Sequence, residues 1–299
     1  MKNRYLLLTT VFFLFLASCQ AKMEKKNMGQ ELTEDCQVDS IDLDILNSLN
    51  QIAKNLQYDS LTTEDQIIEI GKLFLQTPYV GGTLENNVNE ELVINLHQLD
   101  CTTYLENVLA LSQTLKQSQV STSNFSKNIE LIRYRNGQLN DYTSRLHYFT
   151  DWIINNEKKR LVKNITQEIG GEPYFKTINF MSSHVSSYPA LVKDSSLIEK
   201  IKETEKRLNS QQHFYIPENK IQQVEDKIHN GDFIAITTRI KGLDVSHTGI
   251  AIHINERLHL MHASSNAKKV VISELPLAEK IQKNSLQTGI IVVRVISKQ

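Results

Sequence analysis

The first half of the chain carries apolar residues mainly at helical spacing. That spacing predicts a helix over Ile41–Leu56, and the capping-box sequence Thr63-Glu64-Asp65-Gln66 predicts the start of a second. A short apolar run, Leu92–Leu96, is typical of a buried strand. The amphipathic pattern that follows predicts a further helix, whose apolar positions are Leu105, Val108, Leu109 and Leu115.

The stretch from about residue 115 to residue 228 is mostly polar and helical in pattern, with few strand signals. Its spacing predicts helices over Phe125–Tyr134, Tyr148–Asn156 and Leu197–Gln211, and Ile216-Pro217-Glu218-Asn219 is typical of another helix start. Neither a repeat period nor a Gly/Ser- or Pro-rich linker is visible. We therefore interpret 115–228 as a large helical insertion in one domain, 41–299.

The last seventy residues change to short β-branched runs separated by turn residues. Asn255-Glu256 joins two of these runs and predicts a tight hairpin. Helices followed by an antiparallel sheet define an α+β fold. The predicted strands are Asp232–Thr237, Thr248–Ile254, Leu258–Met261, Val270–Ile272 and Gly289–Ile296.

The N-terminal residues, 1–19, have the pattern of an export signal. A basic start precedes an apolar run too short to span a membrane, and Leu16-Ala17-Ser18-Cys19 resembles a bacterial lipobox. We expect Cys19 to be lipidated and 20–40 to form a flexible tether; a plain cleaved signal peptide is the alternative. The protein is then exported and lipid-anchored to a bacterial membrane, facing the periplasm or cell envelope.

Charge narrows the range of partners. The 33 Lys and Arg residues nearly balance the 34 Asp and Glu residues, giving a net charge of -1. There is thus no electrostatic case for nucleic-acid binding. The 40% hydrophobic content is ample for a globular core.

Cys101 is the candidate nucleophile, because it falls at the predicted start of a helix with Asp100 as N-cap. Helix N-termini stabilise the thiolate, which is the reactive form of cysteine, although the Asp100 carboxylate opposes this effect. Two alternatives stay open. Cys101 is a small buried apolar residue, or it forms a disulfide with Cys36, which an oxidising compartment permits.

Two histidines on predicted neighbouring strands supply the other groups that a cysteine nucleophile needs. His247 opens one strand and His262 closes its hairpin partner, so the two rings can lie side by side. His247 is the candidate base and His262 the group that orients it. A zinc site built on these histidines is an alternative, but it lacks recognisable ligand spacing.

Together, these segments resemble the NlpC-type, papain-like cell-wall peptidase and amidase superfamily. The segments occur in the order typical of that superfamily: Tyr79-Val80-Gly81-Gly82, Asp100-Cys101, Gly231-Asp232, His247-Thr248-Gly249-Ile250 and His262-Ala263-Ser264-Ser265.

Within that superfamily, the chain is most similar to the N-acetylmuramoyl-L-alanine amidase-like branch first catalogued as a domain of unknown function. Leu99–Glu106 and Ser144–Tyr148 carry this likeness. Compact members have a shorter connection between nucleophile and base, so the long insertion here is expected to wall the cleft and narrow specificity.

The resemblance implies a papain-like core in which Cys101 attacks, His247 is the general base and His262 orients it. It implies peptidoglycan fragments as substrates and no cofactor. The expected reaction is hydrolysis of the amide between N-acetylmuramic acid and L-Ala through a thioester. Alternatives are a D-glutamyl-diamino acid endopeptidase, a transglutaminase-like acyltransferase and a non-catalytic muropeptide-binding lipoprotein.

The candidate substrate-binding residues surround this predicted centre. Arg145 suits a stem-peptide carboxylate because its guanidinium binds in a bidentate manner, with a structural arginine as the alternative. His147 and Tyr148 are expected on the same wall. Tyr79 is expected over the scissile bond, or in the core at a corner, and Asp100 beside the nucleophile.

Overall fold

A computed structural model describes residues 38–55, 58–85, 89–116 and 121–296. The predicted signal segment 1–19, with Cys19, and Cys36 lie outside the described residues, as does most of the predicted tether. Helices dominate the first half of the described chain and an antiparallel sheet the second, which confirms the α+β class. Across the described ranges, no helix has both the length and the apolar character needed to cross a membrane.

The predicted helices of the first half form with small shifts at their ends. The second starts at Thr63 because the hydroxyl of Thr62 accepts a hydrogen bond from Asp65 N, one residue earlier than the capping box predicted. The α-helices are α1 Ser40–Asn55, α2 Thr63–Leu73, α3 Cys101–Leu115, α4 Thr122–Arg133, α5 Phe149–Lys158, α6 Phe180–Ser183, α7 Pro189–Lys193, α8 Ser196–Asn209 and α9 Leu277–Gln282.

The strands form one sheet in the order β2-β3-β8-β4-β5-β6-β7, and β1 also pairs with β8. Every pairing is antiparallel. Asn255 and Glu256 both have positive φ, as a two-residue hairpin turn requires, which confirms the predicted hairpin. The strands are β1 Val162–Asn164, β2 Glu172–Pro173, β3 Phe214–Pro217, β4 Phe233–Thr238, β5 Val245–Ile254, β6 Arg257–Ser264, β7 Lys269–Ile272 and β8 Gln287–Val295.

The two faces of this sheet are buried in separate apolar clusters. Because side chains alternate along a strand, neighbouring residues such as Phe233 and Ile234 enter different clusters. The first cluster joins one face to α2–α5, and α3 is buried along almost its whole length. The second joins the opposite face to Leu277 and Ile281 of α9. The chemistry described below lies where these layers meet at the start of β5.

The segment Leu92–Leu96 is not a strand, so that prediction was wrong. Its backbone groups are satisfied by side chains instead of a ladder. Arg133 Nη1 donates to Val93 O at 2.6 Å, and Leu96 N donates to Asp42 Oδ1 at 2.8 Å. Apolar spacing shows that such a segment is buried, but does not identify the partners of its N–H and C=O groups.

The predicted insertion contains three short strands that its polar pattern did not indicate. β1, β2 and β3 lie between residues 115 and 228, and β3 occupies the position where Ile216-Pro217 was expected to open a helix. Ile216 pairs with Ile290 of β8, and Pro217 is the last residue of the strand. A single 3₁₀ segment, Ile221–Lys227, then follows. Strands of two to four residues are too short to show an alternation in sequence.

Candidate active site

Cys101 is the first residue of α3, as predicted, and Asp100 fixes where that helix begins. Asp100 Oδ1 accepts hydrogen bonds from Thr102 N at 3.0 Å and from Thr103 N at 2.8 Å. Thr103 Oγ1 accepts in return from Asp100 N at 2.9 Å, which completes a capping box. These contacts give Asp100 the N-cap role. Within the described ranges Cys101 is a free cysteine; the residue as a whole is partly exposed, but its thiol is desolvated.

The start of β5 contacts Cys101 through Thr248. β5 pairs with β6 only from Ile250 onward, while its earlier residues pair with β4. Thr248, in this early part, donates from Oγ1 to Cys101 O at 2.8 Å. Thr248 is also near enough to the Cys101 thiol to act on its pKa, which it lowers. The residue next to His247 in sequence therefore contacts the candidate nucleophile directly.

His247 and His262 form the pair that the sequence predicted. His247 Nε2 lies 2.6 Å from His262 Nδ1, and the ring planes are nearly perpendicular at 87°. Gly249 makes room for this contact on the same face of β5. A Cβ at Gly249 would lie 2.9 Å from His262 Cβ and 2.8 Å from Leu260 Cδ1, closer than such atoms pack.

One proton shared between the two rings determines what each histidine can do. When His247 Nε2–H donates to His262 Nδ1, the lone pair of His247 lies on Nδ1, and His262 carries its proton on Nε2. His247 Nδ1 is then available to accept a proton. This arrangement matches a base held in one tautomer by an orienting neighbour.

Burial is the main cause of the low pKa values of both histidines. It lowers the pKa of His247 to about 4, and the nearby Lys280 ammonium contributes. Burial, His247 and Lys280 together lower the pKa of His262 to about 2. Both imidazoles are therefore neutral at pH 7, which is the form that a general base requires.

Desolvation has the largest effect on the pKa of the Cys101 thiol. Burial, followed by the Asp100 carboxylate, raises this pKa to about 11, while Thr248 and Thr102 act in the opposite direction. The sequence indicated the opposing effect of Asp100, and desolvation adds to it. The thiol and the two imidazoles are therefore neutral at pH 7, so a thiol that acts as a nucleophile has to lose its proton as it attacks.

Tyr79 lies beside Cys101 through a short backbone pairing. Leu99 N donates to Pro78 O at 3.0 Å, and Val80 N donates to Leu99 O at 3.1 Å. Burial, followed by the Cys101 and Asp100 charges, raises the pKa of the half-buried Tyr79 phenol. The structure therefore brings the predicted tyrosine turn to the start of α3.

Arg145 is buried in ion pairs within the chain. Its Nη2 lies 2.7 Å from Glu85 Oε1, and its Nε lies 3.2 Å from Glu90 Oε1. It lines a cavity of about 540 Å³, here called the Arg145 cavity, together with Tyr142 and Leu197 among others. Its guanidinium is already paired with carboxylates, which favours the structural alternative over substrate binding.

His147 and Tyr148 also make contacts within the chain. His147 Nε2 lies 2.7 Å from Tyr142 O, and burial lowers the pKa of its ring to about 3. Tyr148 is buried, and its hydroxyl donates to Glu205 Oε1 at 2.7 Å and accepts from Met181 N at 2.8 Å. These partners belong to the predicted insertion, and the described contacts do not bring either residue to Cys101.

A cavity of about 570 Å³ opens beside the two histidines, and we call it the Lys280 cavity. Sequence reasoning missed its basic residues, because a short charged helix near the C-terminus is typical of a solvated face. Among the described residues that line it, none is Asp or Glu. The lining is Thr238, Ile240, Ser246, His247, His262, Ser264, Ser265, Asn266, Lys280, Lys283, Asn284, Ser285, Leu286 and Gln287.

The fold and these residues define an α+β protein with a cysteine at a helix start and two histidines in contact on the adjoining sheet. Residues 69–290 match the model of the AmiA-like family, described as N-acetylmuramoyl-L-alanine amidase-like. The chain belongs to this family. Within the described ranges, no three His, Cys, Asp or Glu side chains are grouped to hold a metal ion.

Solved structures agree with this assignment. The chain is similar to a crystal structure described as an N-acetylmuramoyl-L-alanine amidase from Bacteroides uniformis, with 39% identity, a TM-score of 0.75, and coverage of 79% of this chain and 99% of that one. A structure described as a putative xylanase from Bacteroides fragilis has 38% identity and a TM-score of 0.73, covering 76% and 100%.

A Legionella pneumophila protein of the family DUF1460 shares the fold at 24% identity and a TM-score of 0.65, covering 87% of this chain and 97% of that one. No curated protein sequence matches the chain significantly. The predicted resemblance to an amidase-like branch once catalogued as a domain of unknown function is thus confirmed.

Proposed function

We propose that the protein is a peptidoglycan amidase with a papain-like core that hydrolyses the amide between N-acetylmuramic acid and L-Ala in peptidoglycan fragments. The observation that carries the proposal is the 2.6 Å contact between His247 and His262. His247 is followed on β5 by Thr248, which contacts Cys101. Family membership supports the amidase class, and the name of the Bacteroides uniformis relative supports the choice of bond.

In the proposed reaction, Cys101 Sγ attacks the carbonyl carbon while His247 Nδ1 takes the thiol proton. The tetrahedral intermediate then collapses to a thioester, and His247 gives that proton to the departing amine. Water attacks the thioester with His247 as base, which releases the acid and restores the thiol. His262 stabilises the imidazolium that forms at each step and keeps Nδ1 directed at the reacting atoms.

The oxyanion is assigned to an N–H group at the start of α3. Asp100 Oδ1 occupies the N–H groups of Thr102 and Thr103. We therefore assign the Cys101 N–H as a donor to the developing negative charge. Tyr79 is assigned to cover the scissile bond from the side of the Pro78–Val80 turn.

A glycoside hydrolase is the contrasting possibility that the name of the Bacteroides fragilis relative raises. Such an enzyme generally needs two carboxyl groups flanking the bond to be cut. The described lining of the Lys280 cavity includes no Asp or Glu, and the pKa of the neighbouring histidines is lowered by burial. The site chemistry therefore favours acyl transfer.

We further propose that the protein acts as an exported lipoprotein, anchored through acyl groups on Cys19 and facing the periplasm or cell envelope. The tether 20–40 would separate the membrane from the amidase domain 41–299, with its insertion at about 115–228. The basis is the sequence of residues 1–19. Metabolic labelling with a fatty-acid probe should mark the wild-type chain but not a Cys19→Ala variant.

Mass spectrometry of defined muropeptides tests the reaction. The full chain in detergent, under reducing conditions, should release an intact stem peptide from the sugar, and Cys101→Ala should release none. Cleavage within the stem would move the assignment to a D-glutamyl-diamino acid endopeptidase. Absence of any product across a broad substrate panel would move it to a muropeptide-binding lipoprotein.

A further inference from the structure

The Lys280 cavity joins the candidate base to a cation. His247 and His262 line one part of it and Lys280, from α9, lines another. Hydroxyl and amide side chains provide further polar groups, among them Ser264 and Asn266. At about 570 Å³, the cavity falls in the range that small ligands fill.

Lys280 is partly desolvated within the cavity and is in none of the ion pairs between described residues. It is only partly exposed, and burial is the sole cause of its lowered pKa, with no carboxylate contributing. The lysines of the described ion pairs, such as Lys72 and Lys200, face Glu69 and Asp141. A partly desolvated ammonium without a counter-charge favours binding of an anion.

The chemistry of amide cleavage decides which part of the substrate lies in this cavity. The departing amine takes its proton from His247, so the amine side of the substrate has to lie against that ring. The acyl side stays bonded to Cys101, which does not line the cavity. The Lys280 cavity is therefore on the leaving-group side of the scissile bond.

We propose that the Lys280 cavity binds a carboxylate carried by the amine side of the substrate, with Lys280 as its ion-pair partner. The inference rests on the proposed function for the position of the scissile bond. In a muramoyl-L-alanine substrate, the amine side is the stem peptide, whose D-glutamyl residue bears such a group. Lys283, which is exposed at the edge of the cavity, contributes a weaker, solvent-screened attraction.

Calorimetry with two dipeptide probes tests the site without turnover. Both probes are L-Ala-γ-D-Glu with the γ-carboxyl blocked as an amide, and they differ only in carrying an α-carboxylate or an α-carboxamide. The Cys101→Ala chain should bind the carboxylate about 10- to 100-fold more tightly, as expected for a charge-assisted hydrogen bond. Adding Lys280→Met should remove that preference, and Lys280→Arg should keep most of it.

A second variant that removes one lysine charge elsewhere distinguishes an ion pair with Lys280 from the effect of the net charge of the protein. Lys227 is exposed and lies beside Arg294, near the end of β5 opposite His247, so Lys227→Met should keep the carboxylate preference. Circular dichroism of each variant should show an unchanged fold. Equal affinity for the two probes, or a preference that survives in Lys280→Met, would overturn the carboxylate site.

Turnover measured in parallel distinguishes the two proposals. Cleavage of muropeptides without any carboxylate preference would refute the carboxylate site and leave the amidase standing. Carboxylate binding that depends on Lys280, with no cleavage by the wild-type chain, would refute the amidase and leave the anion site. A lower kcat/KM in Lys280→Met, arising in KM and confined to the carboxylate substrate, would support both.

Discussion

The Arg145 cavity and the Lys280 cavity have similar volumes, but they differ in whether their basic side chain is paired with a carboxylate. In the Arg145 cavity, the guanidinium is held between Glu85 and Glu90, so its charge is neutralised within the fold. In the Lys280 cavity, the described lining provides no carboxylate, and the histidine pair lies beside the ammonium. A cation that the fold has already paired contributes to the structure, whereas a cation left unpaired beside candidate reacting groups is available to a ligand.

Replacing the proposed nucleophile should abolish cleavage and leave ligand binding in the Lys280 cavity unchanged. Cys101→Ala should lower kcat/KM at least about 1000-fold, because removal of a nucleophile eliminates the covalent route. Binding of the carboxylate dipeptide should persist, since Cys101 does not line the Lys280 cavity. Stopped-flow product analysis and calorimetry on one preparation would give both values. Residual activity near that of the wild type would exclude Cys101 as the nucleophile.

The Arg145 cavity should respond to mutation through stability. Arg145→Met leaves two carboxylates, one of them buried, without their partner and should cost about 3–5 kcal/mol of unfolding free energy. Urea denaturation measures this change. As a control, Arg239→Met, which removes an exposed pair with Glu218, should cost less than about 1 kcal/mol.

Kinetics of the folded fraction then decide between the two interpretations of Arg145. A folded Arg145→Met protein with an unchanged KM for muropeptides would place the residue in the structure alone. A KM raised for substrates with a free carboxylate, together with wild-type stability, would restore Arg145 as a substrate ligand. Arg145→Lys keeps the charge and tests whether paired geometry, in addition to charge, is needed.

How well the sequence anticipated these residues depended on whether their partners were local. The Asn255-Glu256 hairpin and the Asp100 cap were predictable because the residues that form each of them are within a few positions of one another in sequence. Cys101, His247 and His262 were found because their motifs occur in a recognisable order. The two alternatives for Arg145 could not be separated from the sequence, since its partners Glu85 and Glu90 are about 60 residues away.

Other features depended on contacts that no sequence pattern specifies. Leu92–Leu96 resembled a strand because it is apolar and buried, yet side chains from other elements occupy its backbone groups. Lys280 carried no signal because its significance comes from lying in the same cavity as two histidines. The direction of the thiol pKa shift could not be decided from the sequence, because desolvation depends on packing of the whole site.

A smaller perturbation should test how tightly the histidine side of the Lys280 cavity is built. Gly249→Ala places a Cβ within 2.9 Å of His262 Cβ, so β6 or His262 has to move. We expect about 1–3 kcal/mol of destabilisation from overpacking, and a lower kcat because His262 no longer orients His247. Calorimetric unfolding and steady-state kinetics measure the two effects.

An alanine at Gly170 serves as the control for this variant. Gly170 also lacks a side chain, but nothing lies within 4 Å of where its Cβ would be. Because its φ is +113°, Gly170→Ala should cost stability through backbone strain without lowering kcat. A Gly249→Ala enzyme with wild-type kcat would argue that the position of His262 is unimportant to the base.

The smallest expected effect is a shift in the acid limb of the pH profile. In the proposed mechanism, His247 works as a base only when neutral. Its pKa is about 4, so kcat/KM should rise with pH through that value and level off above it. Lys280 contributes to lowering this pKa, because a nearby positive charge disfavours the imidazolium. Lys280→Met should therefore move the limb toward higher pH, while burial, the larger cause, keeps it below the usual histidine value.

The substrate for this measurement should carry the carboxamide, so that loss of carboxylate binding does not mask the shift. Lys283→Met provides the matched control, since Lys283 lines the same cavity but is exposed and is not among the causes of the His247 pKa shift. Its limb should stay at the wild-type position. A Lys280→Met limb that moved to lower pH would contradict the expected direction of the effect. An unmoved limb would show that the ammonium lies too far from the base to influence it. The Lys280 cavity would then resemble the Arg145 cavity in having no electrostatic link to catalysis.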